Sequence, residues 1–343
     1  MRILHIFSCN AEREAFRRIS GYLPATMEHS TLDIAGEISM AEKTDIVHAH
    51  SWFGSGSAAE ALSEKFNIPY IVSVAHNDIK KYRNTVFFKK KAVCSALLQA
   101  SKVVFTNNFD HDSLAVNLNS ELADNIFDHS VVLLEPAGDY WTANLRMHPP
   151  TALVNIRLLY VGEIGEDSRL STILDAMTIL RKRNYNVTLT AVETIRAESS
   201  FRSKMKTTAS KRDDFEFVEL PQGDIMTDGR LMSFYRANDI SVLLNTETDT
   251  IRHFAESATQ GLPVIHAVES PFSGIFSEKM TDFPVNPNSP SELAARILQI
   301  GDNFATVEQH LSNLSPFIMF NPVETARKYE HMYDNVLIKH SAL

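Results

Sequence analysis

Glu256 sits in a helix-length segment (251–261) that follows an apolar run (240–244) and a polar loop, and a second apolar run begins at Pro263. The order is strand, loop, helix, strand. In an open parallel sheet, ligands collect where loops leave the carboxyl ends of strands and where helix N-termini present unpaired N–H groups. A carboxylate in the helix after such a loop is therefore a candidate for holding a ligand. Glu247 and Asp249, on either side of Thr248 in the loop, add two more acidic groups. His76 ends the apolar run 68–75, so it belongs at another strand end. His48 and His50 form an H-x-H pair with His76 and Asp78 downstream, a set from which a metal hydrolase could be built. Asp110, His111 and Asp112 form a D-x-D triplet that can chelate a cation; placed just after a strand, an aspartate more commonly caps the helix that follows. Ser55, Gly56 and Ser57 open a helix beside Trp52, as a simple turn or as a place for a bound group at its N-terminus.

The elements that must position these groups come in two alternating series. The first has apolar, unalternating runs at 2–8, 45–50, 68–75, 102–106 and 130–134, separated by helical segments at 11–19, 57–66, 87–100 and 112–119. Such runs suit strands covered on both faces, and the alternation is that of a parallel sheet with crossover helices. Pro136, Gly138, Pro149 and Pro150 mark a linker. The second series has strands at 156–161, 187–192, 215–218, 240–244 and from 263. Between its first two strands Leu170, Ile173, Leu174, Met177 and Leu180 recur at helical spacing. Near the end Val323, Ala326, Tyr329, Met332, Tyr333 and Val336 mark one more helical face. The connecting residues Cys9 and Asn10 contain no glycine, which argues against a dinucleotide-binding G-x-G-x-x-G turn and an NAD enzyme.

At 343 residues the chain is long enough for two cores, and its net charge of −9 argues against general nucleic-acid binding. The two cysteines, Cys9 and Cys94, are too few for a disulfide framework and are expected to be small buried residues in a reducing compartment. The amino terminus lacks a signal-peptide pattern and no run is long enough to cross a bilayer, so the expected location is cytoplasmic. Against the acidic background, Lys80, Lys81, Arg83, Lys89, Lys90 and Lys91 surround Phe87 and Phe88. Basic groups beside aromatic ones suit either a solvated face or peripheral contact with an anionic membrane, at about 1 kcal/mol per basic residue.

The segments DIVHAHSWFGSG, IPYIVSVAHNDI, LLYVGEI and ESATQGLPVI together resemble the GT-B glycosyltransferases of family four, retaining enzymes that use nucleotide-sugar donors. The resemblance runs over nearly the whole chain and is strongest at Glu256, Ser257, Ala258, Gly261, Pro263, Val264 and Ile265. It continues in EPAGDY (135–140) and in the terminal helix, which in that family crosses back onto the first domain. It implies an α/β chain of two Rossmann-like parallel-sheet domains facing a central cleft. Residues 1–145 joined by 322–343 would carry the acceptor, and residues 151–321 the donor. By the same resemblance Glu256 holds the ribose, and Gly162, Arg169 and Thr248 line the donor. His76, Glu247 and Asp249 surround the reacting centre, and no metal or other cofactor is used.

The chain departs from the family pattern at three positions. Thr248 stands where the family has the first of two acidic residues, and Glu163 and Ser168 stand where it has an arginine and a lysine for the diphosphate. Two like unit charges about 4 Å apart repel by about 4 kcal/mol at an effective dielectric of about 20. With Glu163 in the arginine's place, Arg169 and helix N–H groups must carry the leaving phosphate, or the reaction has been lost. The expected activity is retaining, metal-independent transfer of a sugar from a nucleotide-diphosphate sugar to a saccharide or lipid-linked saccharide, at the inner face of the membrane if the basic segment docks there. The alternative is a catalytically degenerate accessory protein of the same fold that binds a partner transferase or a glycan.

Overall fold

The structure, a computed structural model, describes residues 1–33, 43–146, 153, 155–196, 199–220, 227–246, 251–276 and 280–342. The first half runs β1 (Arg2–Phe7), α1 (Asn10–Ser20), β2 (Glu28–Asp33), β3 (Ile46–Ala49), α2 (Ser57–Phe66), β4 (Tyr70–Val74), α3 (His76–Asn84), α4 (Phe87–Leu98), β5 (Lys102–Phe105), α5 (Asn108–Asn117), α6 (Ser120–Phe127) and β6 (Ser130–Val132). A short α7 (Asp139–Ala143) precedes β7 (Ile156–Glu163), α8 (Leu170–Lys182), β8 (Val187–Ile195), α9 (Ser200–Ala209), β9 (Phe215–Glu219), α10 (Thr227–Ala237), β10 (Ile240–Leu243), α11 (Ile251–Thr259), β11 (Val264–Ala267) and β12 (Phe283–Val285). The chain ends in α12 (Pro290–Asp302), α13 (Phe304–Asn313), α14 (Pro316–Met319) and α15 (Pro322–Ser341).

Two compact units result, residues 1–136 with 321–343, and residues 137–320. Each holds one six-stranded parallel sheet, ordered β2-β1-β3-β4-β5-β6 in the first and β12-β11-β10-β7-β8-β9 in the second. The strand order reverses between β1 and β3 in the first and between β7 and β10 in the second. Reversal points of this kind open a crevice at the carboxyl edge where ligands bind.

Both faces of the first sheet are covered, which explains why its strands read as unbroken apolar runs. Leu4, Ile6, Val47, Val72 and Phe105 face α2 and α4, whereas Ile3, Phe7, Ile46, Ile71 and Val104 face α1 and α15. The helical face read at the end of the sequence is the one buried here: Ala326, Tyr329, Met332, Tyr333 and Val336 all lie in the second of these cores. In the second unit the α8 stripe is buried in the same way, at Leu170, Ile173, Leu174, Met177 and Leu180. Residues 137–145 belong to this unit because Trp141 packs edge-on against Tyr235 and because the Gln260 side chain donates to the carbonyls of Trp141 and Asn144.

Several elements differ from expectation. β2 and β12 add one strand to each sheet; β2 is polar (EHSTLD) and β12 contains Pro284, and both lie at sheet edges, where polar residues and a missing N–H are tolerated. The expected helix 87–100 is preceded by a separate helix, α3, whose buried residues His76, Asp78, Ile79 and Tyr82 are half polar and so leave little apolar periodicity to read. Cys94 is buried as expected, but Cys9 is exposed because it lies past the end of β1, at the N-cap of α1. No helix among the described residues is long and apolar enough to cross a membrane.

Candidate functional site

At the reversal point of the second sheet, the loops after β7 and β10 leave adjacent strand ends and are tied together. The Asp167 carboxylate accepts from the Thr246 amide at 3.4 Å and from its hydroxyl at 3.3 Å. Buried Tyr160 donates its hydroxyl to the Glu163 carbonyl at 2.6 Å and accepts from the Asn245 amide at 3.2 Å. Gly162 holds φ at +150°, and a Cβ there would stand 3.1 Å from the Tyr160 hydroxyl, so this strand end is reserved for bare backbone. A 3-10 turn at Glu166–Ser168 then leads to Arg169, the N-cap of α8, at φ 53°, ψ 27°. A non-glycine residue in the left-handed region stores strain of the order of 1 kcal/mol or more, which is found concentrated at functional sites. Arg169 Nε is buried with no hydrogen-bond partner among the described residues, and α8 opens without a side-chain cap. A guanidinium with an unspent donor beside an uncapped helix N-terminus is an arrangement suited to an anion.

Glu256 lies on α11 and is fully buried. Its Oε1 accepts from Arg252 Nε at 2.6 Å, and its Oε2 from the Tyr235 hydroxyl at 3.1 Å and from His253 Nδ1 at 3.0 Å. Burial favours the protonated acid, but the adjacent Arg252 charge and the His253 hydrogen bond outweigh it and bring the carboxyl down to about 2. Arg252 also reaches Asp228 at 3.2 Å, and His253 Nε2 lies 3.3 Å from Thr194 at the end of β8. Of the three partners, Tyr235 and His253 are buried, while the Arg252 side chain is 37% exposed. Arg252 is thus the partner a ligand can displace.

In the first unit, His76 opens α3 at the carboxyl end of β4, and its Nδ1 is 2.6 Å from Asp110 Oδ1. Both side chains are buried. Asp110 Oδ2 accepts from Asn107 Nδ2 at 2.7 Å. The pairing places the imidazole proton on Nδ1 and leaves Nε2 as the basic nitrogen. The D-x-D triplet is therefore not a helix cap; Asn107 caps α5 by accepting from the Asp110 amide, and Asp110 orients His76.

Asp78 accepts from Ser51 Oγ and from the amides of Trp52, Phe53 and Ala75, all within 3.0–3.1 Å. It spans the loops after β3 and β4. The residues Ser55, Gly56 and Ser57 continue a π-helical turn, Trp52–Gly56, whose leading amides Asp78 and Ser51 already occupy, so no open helix N-terminus exists there. The metal-hydrolase set is not assembled either: His76 is committed to Asp110 and Asp78 to these amides, and the histidines that lie beside His48 and His50 include His5. Glu247, Thr248 and Asp249 lie outside the described residues.

The roles of two groups escaped the sequence reading. Arg252 stands four residues before Glu256, a spacing at which helix side chains meet, and was legible in principle. Asp110 is brought to His76 only by the pairing of β4 with β5, which no local pattern encodes.

The fold is that of GT-B glycosyltransferases, two six-stranded parallel α/β units. Solved structures with this fold match along the whole chain. Anabaena HepE in complex with UDP is 12% identical with a TM-score of 0.73, over 98% of this chain and 100% of that one. A glycosyltransferase from Rickettsia africae is 17% identical with a TM-score of 0.71, over 98% of each chain. Sucrose-phosphate synthase from Thermosynechococcus elongatus is 14% identical with a TM-score of 0.71, over 99% of this chain and 100% of that one. No protein-family model matches the chain, and no curated protein matches it by sequence.

Proposed function

We propose that the chain is a retaining glycosyltransferase that moves a sugar from a nucleotide-diphosphate sugar, with UDP as the nucleotide, to a saccharide or lipid-linked saccharide without a metal. The observation that carries this reading is the reversal point of the second sheet, where Gly162, the strained Arg169 and the uncapped start of α8 follow one another past the carboxyl end of β7. HepE, which shares the fold, binds UDP and UDP-glucose.

In this reading the ribose hydroxyls replace Arg252 on Glu256 Oε1, and the released Arg252 joins Arg169 at the diphosphate. The two arginines thereby supply the positive charge missing at Glu163 and Ser168. As the bond from the anomeric carbon to the diphosphate oxygen breaks, negative charge grows on the phosphate, and stabilising it is the main electrostatic task. The acceptor oxygen attacks on the same face and passes its proton to the leaving phosphate. Glu247 or Asp249 holds the transferred sugar with Thr248 alongside, and His76, fixed by Asp110, stands by the reacting centre. The first unit takes the acceptor, and the basic residues Lys80, Lys81, Arg83, Lys89, Lys90 and Lys91 hold the protein at the cytoplasmic face of an anionic membrane.

Calorimetric titration with UDP tests the donor site. Wild type is expected to bind, Glu256→Ala to lose binding, and Arg169→Ala to weaken it by about 10- to 100-fold, the loss of one charged hydrogen bond. Unchanged affinity in both variants sinks the assignment. The closed network around Glu256 favours one second reading, an accessory protein without turnover. Release of UDP from a panel of UDP-sugars, with no magnesium or manganese added, separates the two.

A further inference from the structure

His5, on β1, and His48, on β3, are direct cross-strand partners in the first sheet. His50 follows two residues later, just past the carboxyl end of β3, so all three imidazoles project to the face covered by α1 and α15. They meet at the point where the strand order reverses. One ring nitrogen from each lies within 4.8 Å of the other two, the one such group of three among the described residues. His5 Nδ1 and His50 Nε2 are 2.9 Å apart, and the rings of His48 and His50 stack at 4.1 Å.

We infer that His5, His48 and His50 bind a single transition-metal ion, zinc foremost, at the reversal point of the first sheet. Bonds of about 2.0–2.1 Å at tetrahedral angles place ligand nitrogens roughly 3.3 Å apart, close to the 2.9 Å between His5 Nδ1 and His50 Nε2. An all-imidazole donor set selects zinc, copper or nickel over magnesium or calcium. Metal binding requires neutral imidazole, and burial opposes the protonation of all three rings.

The surroundings have the form of an outer shell. His5 turns its other nitrogen, Nε2, to His29 Nδ1 at 2.9 Å, so that a metal on Nδ1 fixes the tautomer with Nε2–H donating to His29. His48 has hydroxyl partners on both nitrogens, Tyr333 at 2.8 Å and Ser73 at 2.9 Å. Whichever nitrogen turns to the metal, the other keeps its hydroxyl. Tyr333 lies on α15, so ligation through His48 Nε2 would tie β1, β3 and this helix into one assembly. The site belongs to the first unit, the groups proposed for the donor belong to the second, and the inference stands independently of the transfer reaction.

The test uses the full chain, stripped with a chelator, reloaded with zinc and desalted. Elemental analysis is expected to give one zinc per chain, and cobalt(II) in its place to give the visible bands of a low-coordinate nitrogen site. His5→Gln and His50→Gln are expected to lose the ion, and His29→Gln to keep the stoichiometry while weakening affinity about 10- to 100-fold. Folded wild type that retains no zinc, or His5→Gln and His50→Gln variants that bind as tightly as wild type, would overturn the inference. The cobalt spectrum is read on wild type, so the result does not hinge on whether a variant folds.

Discussion

The two units share a sheet of six parallel strands and a reversal of strand order, yet the polar cluster buried beside β1 and β3 differs in kind from those buried in the second unit. Beside its reversal point the first unit places neutral imidazoles, His5 and His48, whose protonation burial opposes. The second unit buries full charges, each with its counter-charge. Glu256 is closed by Arg252, His253 and Tyr235, and Glu193 by Arg202, whose Nε and Nη2 reach the two carboxylate oxygens at 2.7 Å each. One scaffold therefore accommodates two electrostatic regimes. A neutral, polarisable interior suits an uncharged or cationic guest, and an interior of matched charges suits a charged ligand that can exchange for one member of a pair.

The comparison breaks most easily at Arg202. Glu193 and Arg202 are only 3% and 4% exposed, so Arg202→Met leaves an unpaired buried carboxylate and is expected to cost about 3–5 kcal/mol of stability in denaturant unfolding. Combined with Glu193→Leu it should recover most of that loss, because an apolar pair of similar volume removes both charges. If the single variant unfolds like wild type, the second unit does not depend on charge pairing.

Acid sharpens the same contrast. The folded-state value for Glu256, about 2, lies below the ordinary 4.5, so its contribution is present above pH 4.5 and lost as pH falls towards 2. The amount is on the order of 3 kcal/mol. Hydrogen exchange should report it as a loss of protection in α10 and α11 between pH 4.5 and 2. Glu256→Gln should flatten that dependence, and a Gln variant with the same profile would place the acid sensitivity elsewhere.

In the first unit a buried carboxylate, Asp110, serves the imidazole of His76. Asp110→Asn keeps the shape but removes the charge that fixes the His76 tautomer. Turnover is expected to fall by about 100-fold, the cost of misplacing a group held at the reacting centre, with UDP affinity unchanged. A fall in UDP affinity instead would mean that the two units do not divide the work as proposed.

What the sequence discloses depends on how far apart the interacting residues lie. The β1, β4 and β5 strands are legible as unbroken apolar runs because both faces are buried, and α8 and α15 because one stripe at helical spacing faces a core. β2 and β12 are not, since an edge strand needs neither an apolar run nor every N–H. At the candidate site, Glu256 stands out by its place in the strand–loop–helix order, and Arg169 only through the family resemblance. Two features depended on strand register and were hidden: the meeting of His5 with His48 across 43 positions, and of His76 with Asp110 across 34. The H-x-H pair showed half of a cluster whose remainder comes from other strands.

The placement of α15 bears on the order in which the protein can be made. Residues 137–320 form a complete unit of their own, whereas the first unit needs Ala326, Tyr329, Met332, Tyr333 and Val336 to close the face of its sheet. During synthesis the first unit is thus begun first and finished last. Its sheet waits with one face covered only by α1 while the whole second unit is translated, at about 5–20 residues per second, a window of roughly ten to forty seconds in which a nascent-chain chaperone would have an apolar surface to hold.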